Sequence, residues 1–257
     1  MNPNDRELLR LSQLLTQAPG RLVEHRLRRI RVSERTFERN AEELQRHIDR
    51  FVDTETAIDL VAREPREQLD EYVDETIRLL HNFLASVRSL VDHTRVEINE
   101  AYGAHVFSDQ YQKRVESDFS RSPHSQFVHQ LRHYALHVGN PPTQTVVSWS
   151  PGGSVPPLSF VRLSRRALLE WDKWNEPARR FVSEMEGDIH LRDLVETYSR
   201  VVREFYEWMG SRLLEIHRDE LDELRDIRER IASMRGDSDP AATVLGSLKT
   251  RSRPRGT

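Results

Sequence analysis

The sequence predicts an all-α fold, an elongated helical bundle with long antiparallel helices and a small inserted β-hairpin. Three observations predict it. Apolar residues recur at alternating steps of three and four over long stretches, which is the period of a helix with one buried face. Charged residues make up 32% of the chain and hydrophobic ones 37%, a balance that suits amphipathic helices with wide solvated faces. Only one short region, near 144–163, has the β-rich, turn-punctuated pattern of paired strands.

Taken in order, residues 1–33 read as an N-terminal helix and a basic linker, where Arg21, Arg26, Arg28, Arg29 and Arg31 form a solvated charge cluster. Residues 34–235 read as the helical domain. Its first stripe is Phe37, Ala41, Leu44, Ile48 and Phe51. The second runs through Leu69, Val73, Ile77, Leu80, Leu84, Val87, Val91, Thr94 and Ile98, with Pro65 suited to the first turn of that helix. A shorter helix covers about 123–138, and Gly139 followed by Asn140-Pro141-Pro142 stops it. Thr145-Val146-Val147-Ser148-Trp149 and Leu158-Ser159-Phe160-Val161-Arg162 then flank the turn-rich Pro151-Gly152-Gly153-Ser154, which predicts the hairpin. Ser164 opens a further helix holding Leu168, Trp171, Trp174 and Phe181, with the tryptophans read as core. Asp188 suits the cap of the next helix, striped by Leu191, Val195, Tyr198, Val202, Phe205 and Met209. Leu221, Leu224, Ile227, Ile231 and Met234 extend that stripe. Residues 236–257 lack periodicity, hold a second basic cluster (Lys249, Arg251, Arg253, Arg255) and read as a disordered tail.

Composition excludes several classes of function. The 257 residues include no cysteine, so disulfides and thiolate zinc sites are ruled out and a reducing compartment fits. No apolar run approaches the roughly 20 residues needed to cross a bilayer. Met1-Asn2-Pro3-Asn4-Asp5-Arg6 lacks a basic-then-apolar signal pattern. A cytoplasmic protein with no membrane partner is the expectation. The net charge of -3 gives no global sign of a polyanion binder. Gly152-Gly153 lacks the lysine and helix of a phosphate-binding loop. Glu42-Glu43 and Asp222-Glu223 lie on charged faces and read as solvated.

The segment that carries chemistry is Leu131-Arg132-His133-Tyr134-Ala135-Leu136-His137. At about 100° per residue, Phe127, Leu131, Tyr134, Ala135 and Val138 fall on one side of the helix. His129, Gln130, His133 and His137 fall on the other, with Arg132 at the edge of that polar face. Arg132 and His137 lie about 140° apart, with His133 between them. An arginine followed five residues later by a histidine is a weak pattern alone: 36 of the 39 basic residues are arginine, and the pattern occurs at Arg88–His93, Arg132–His137 and Arg212–His217. Only the Arg132 occurrence combines a polar successor, a dense polar face and an immediate helix end. Arg88 can instead pair with Asp92 one turn on.

This motif resembles the R-x4-6-H motif of HEPN domains, helical-bundle proteins of which many are metal-independent ribonucleases of toxin–antitoxin and antiviral systems. A polar residue commonly follows the arginine in that family, and His133 fits. The resemblance spans about 66–138. It implies an endoribonuclease that cleaves RNA by attack of the 2′-hydroxyl on the adjacent phosphate, with Arg132 and His137 catalytic and His133 and His129 supporting. It also implies no metal and no cofactor, a homodimer in which two motifs meet, and a cognate antitoxin or regulatory protein as a further partner. The residue types suit that chemistry, since histidine exchanges protons near neutral pH and arginine grips phosphate oxygens. Two other readings stand beside it. One is a non-catalytic helical interaction or scaffold module whose stripes bind a partner helix. The other is a metal site on His129, His133 and His137, which are spaced four apart but lack a carboxylate in a recognisable second-ligand motif.

Overall fold

The structure, a computed structural model, describes residues 2–62, 66–148 and 157–236. Pro65, Trp149, the Pro151–Ser154 turn and the tail beyond Gly236, with its basic cluster, lie outside the described residues. The chain runs α1 (Pro3–Gln17), α2 (Pro19–Val52), α3 (Thr54–Ala62), α4 (Glu67–Tyr102), α5 (Val106–Val115), a π-helical turn (Glu116–Ser120) and α6 (Pro123–His137). It continues through β1 (Thr143–Ser148), β2 (Leu158–Leu163), α7 (Arg165–Leu169), α8 (Glu176–Glu184), β3 (Ile189–His190), α9 (Leu191–Ile216) and α10 (Arg218–Arg235). This is the all-α fold with a small inserted hairpin. Among the described residues no helix is long and apolar enough to cross a membrane.

Two compact units form, Met1–Val32 with Glu207–Thr257 and Ser33–Tyr206. In the first, α1 packs on α10 around Leu11, Ala18, Leu224, Ile227 and Ile231. Gly20 lets α2 begin against α10, since a Cβ there would stand 2.2 Å from the Glu220 carbonyl oxygen. Arg228 donates from both terminal nitrogens to Glu24, at 2.7 and 2.6 Å, and this holds the Glu24 carboxyl below its usual pKa. The residues expected as a basic linker are helix instead. The reason is visible in the spacing: Val23 and Ile30 are buried, seven residues apart and in step with Phe37, Leu44 and Phe51. The arginines between them only decorate a continuous apolar stripe. His217 separates α9 from α10, so the stripe from Leu221 to Ile231 belongs to a helix of its own.

The Ser33–Tyr206 unit is centred on Phe37, Phe83 and Tyr198, whose ring centres lie 5.7 to 6.2 Å apart. The predicted stripes of α2 and α9 are buried throughout, but the one on α4 is displaced at its start. Leu69, Val73 and Ile77 are only half-buried, and Tyr72, Thr76, Leu79 and Phe83 take the core face. Two large rings outweigh β-branched neighbours there, and Thr76 is accommodated because its hydroxyl donates to the Tyr72 carbonyl at 2.8 Å.

The hairpin pairs Thr143 with Leu163 through Ser148 with Leu158, antiparallel. A third strand, β3, adds to the far edge of β2 and is too short to show a period. The single helix expected from Ser164 to Phe181 is broken into α7 and α8. Pro177 cannot sit inside a continuous helix, and Asn175 caps the new one by accepting from the Ala178 amide at 3.0 Å. Trp171 and Trp174 occupy the break, and the Trp174 indole donates to the Leu168 carbonyl at 2.7 Å. Asp188 does not cap α9: it accepts from the Arg165 amide at 2.8 Å and pairs with Arg162 at 3.0 Å.

Candidate functional site

Helix α6 is anchored at its start. Ser122 accepts from the Ser125 amide, Pro123 opens the first turn, and Ser125 and Gln126 donate to the Asp118 and Phe119 carbonyls of the π-helical turn. Phe127, Val128 and Leu131 are fully buried. One turn later the helix emerges, and His133, Leu136 and His137 are exposed. It ends where the Val138 and Gly139 amides both donate to the Tyr134 carbonyl, at 2.9 and 3.3 Å. Gly139 has φ 151°, a conformation that favours glycine. Tyr134 is half-buried and stacks on Trp174 with ring centres 5.9 Å apart, on the apolar side of the wheel.

At the exposed end the rings of His133 and His137 lie 5.8 Å apart and nearly parallel. Arg132 is half-buried on the same turn, and among the described residues nothing hydrogen-bonds to it or pairs with it. The other two arginine–histidine occurrences are engaged. Arg88 pairs with Asp92 at 2.7 Å, and His93 Nδ1 lies 2.8 Å from the Ser33 hydroxyl. Arg212 pairs with Glu215, and His217 pairs with Glu220 at 3.2 Å.

His129 departs from the polar face expected of it. Its Nε2 lies 3.0 Å from the Tyr198 hydroxyl, inside the unit. Burial pushes its pKa down to about 4, with the Arg88 charge adding to the effect. The wheel misplaced it because α9 brings Tyr198 against the side of α6 that the wheel leaves polar. The three histidines therefore do not form one cluster. Among the described residues no group of three histidine, aspartate or glutamate side chains is placed to share a metal ion.

His129 and Tyr198 line a cavity of about 200 Å³ that sequence reasoning missed. The two residues are 69 positions apart, and Tyr198 reads as one more core position on α9. His124, in the first turn of α6, is half-buried, and that burial pushes its pKa down to about 4 against the opposing pull of the Leu194 backbone. Its Nε2 has no partner among the described residues. Comparison of the chain with family models, curated proteins and solved structures finds no match.

Proposed function

We propose that this chain is a metal-independent endoribonuclease of HEPN type, with its site on the exposed end of α6. One observation carries the reading. Of the three arginine–histidine occurrences, Arg132–His137 is the one in which neither side chain has a hydrogen-bond or ion-pair partner among the described residues and both are held at a helix end open to a ligand. A guanidinium left unpaired is available to a phosphate, which it binds bidentately and without titrating. His137 is the group to move a proton at the 2′-hydroxyl or the leaving oxygen. His133, stacked beside it, orients that ring. His129 stands apart in this scheme because it faces Tyr198.

The attack forms a bond from the 2′-oxygen to phosphorus and breaks the bond from phosphorus to the 5′-oxygen. The proton leaves the 2′-hydroxyl and one is returned to the 5′-oxygen. One copy supplies a single acid–base histidine with a neighbour, so the proposal includes a homodimer in which two such helix ends meet. A setting in toxin–antitoxin or antiviral defence, with a cognate antitoxin as partner, rests on the motif's resemblance alone.

The test is incubation of purified full-length protein with labelled RNA, with and without EDTA. Cleavage should survive the chelator and leave 2′,3′-cyclic phosphate ends, and DNA should resist for want of the 2′-hydroxyl. Arg132→Ala and His137→Ala should each lower the rate about 10²–10⁴-fold. Arg88→Ala and Arg212→Ala, which leave the end of α6 untouched, should cleave as the parent does. Equal cleavage by all four variants, or activity lost on chelation and restored by zinc, would overturn the proposal. A non-catalytic interaction module is the second reading. It is favoured by Leu136 and Val138, which are 54% and 50% exposed beside the site, and it predicts no cleavage under either condition.

A further inference from the structure

The cavity in the Ser33–Tyr206 unit has a volume of about 200 Å³. Folded interiors hold few voids larger than a water molecule. An engineered apolar cavity of roughly 150 Å³ takes up benzene. The volume here thus accommodates one aromatic ring with a short substituent. Val87, Leu90 and Val202 give the cavity aliphatic wall, and Tyr111, Phe119 and Phe205 give it aromatic wall. Phe119 comes from the π-helical turn, a backbone form rare in proteins and frequent at functional sites. The lining residues Val91, Val115 and Gln126 are half-buried and Ser120 is exposed, so the cavity is reached from that side.

The polar handle is His129. The Tyr198 hydroxyl is buried, and among the described residues its one hydrogen-bond partner is His129 Nε2. A buried donor is costly to leave unpaired, so the hydroxyl donates to Nε2. The neutral ring then carries its own hydrogen on Nδ1, and no described residue accepts it. Burial keeps the ring neutral down to about pH 4, so this arrangement holds at physiological pH.

We propose that this cavity binds a small aromatic molecule bearing one hydrogen-bond acceptor, such as an aryl ketone, with its ring among Tyr111, Phe119 and Phe205 and its oxygen on Nδ1–H of His129. The site is independent of the ribonuclease reading, since it uses neither Arg132 nor His137. The acceptor preference follows from the tautomer that Tyr198 imposes, and the size limit follows from the volume.

Titration calorimetry of the full-length chain with acetophenone, and with ethylbenzene as the apolar reference, tests it. Acetophenone should bind saturably, one per chain, with a dissociation constant below about 1 mM. Val202→Phe and Val91→Phe each place a ring in the cavity and should weaken both ligands about tenfold or more. Val91 is half-buried, so its variant keeps the test open should Val202→Phe fail to fold by circular dichroism. His129→Leu should weaken acetophenone about tenfold, the loss of one hydrogen bond to a buried group, and leave ethylbenzene unchanged or tighter. No saturable heat with acetophenone, or binding that neither phenylalanine variant disturbs, overturns the site. Equal losses of both ligands in His129→Leu overturn the acceptor preference.

Discussion

His129 and His133 are one turn apart on the same helix and meet opposite environments. His133 is exposed, while His129 is half-buried against Tyr198 and held at a pKa of about 4, as the half-buried His124 is. Burial disfavours the charged ring, so the folded chain refuses protons that the unfolded chain takes up below about pH 6.5. Unfolding therefore binds protons between about pH 6.5 and pH 4, and stability is lost as pH falls through that window. Each histidine should cost on the order of 2 kcal/mol between pH 7 and pH 5. Urea unfolding at the two pH values reads this directly. His129→Leu should flatten the dependence by its share, and an unchanged slope in that variant would show that His129 is not held neutral by the fold. The same contrast guides the proposed site: His133 and His137 are exposed and stack on each other, so their truncation should leave stability within about 0.5 kcal/mol of the parent.

Single positions decide how the helices meet. At Gly20 a Cβ would come within 2.2 Å of the Glu220 carbonyl oxygen and 3.0 Å of Leu224 Cβ, and backbone cannot step aside as a flexible side chain can. Gly20→Ala should destabilise the unit built from α1 and α10 by about 1–3 kcal/mol, although alanine is the better helix former. Hydrogen exchange would then speed in α1 and α10 before it does in α4, and unchanged protection in those two helices would contradict the packing. At the start of α6, Ser122 is the cap, and Ser122→Ala should cost about 1 kcal/mol. That loss would fall on the helix that carries Arg132 and His137, so a urea midpoint and a cleavage rate measured together would separate a loosened helix from a lost acid–base group.

At the scale of the whole molecule, the proposed chemistry requires assembly. Arg132, His133 and His137 come from one turn and a half of one helix, and a phosphate in reaction needs a proton acceptor, a proton donor and a cation around it at once. A second copy of the chain supplies the missing set. Light scattering at tens of micromolar should therefore give twice the 30.2 kDa chain mass. A monomer mass at that concentration would count heavily against the ribonuclease and leave the calorimetric test of the cavity unaffected.

What the sequence alone determined is whatever one element decides by itself. The stripe Phe37, Ala41, Leu44, Ile48 and Phe51 and the stripe Leu191 to Met209 are buried as their spacing requires, because a 3.6-residue period leaves one apolar face and that face must be covered. The end of α6 at Gly139, the antiparallel hairpin and the emergence of His133 and His137 were legible for the same local reason. What only the tertiary structure decided depends on which neighbour covers each face. Nothing in the periodicity of α4 chooses Tyr72 over Val73. Nothing local joins Val23 and Ile30 to the stripe of Phe37 through five arginines, although the seven-residue step was there to be read. Asp188 suits the cap of the helix it precedes and serves α7 instead, because a carboxylate accepts from whichever amide folding brings to it. His129 lies on the polar side of its wheel and is nevertheless half-buried against Tyr198, because a wheel describes one helix and burial is a property of the helices packed around it.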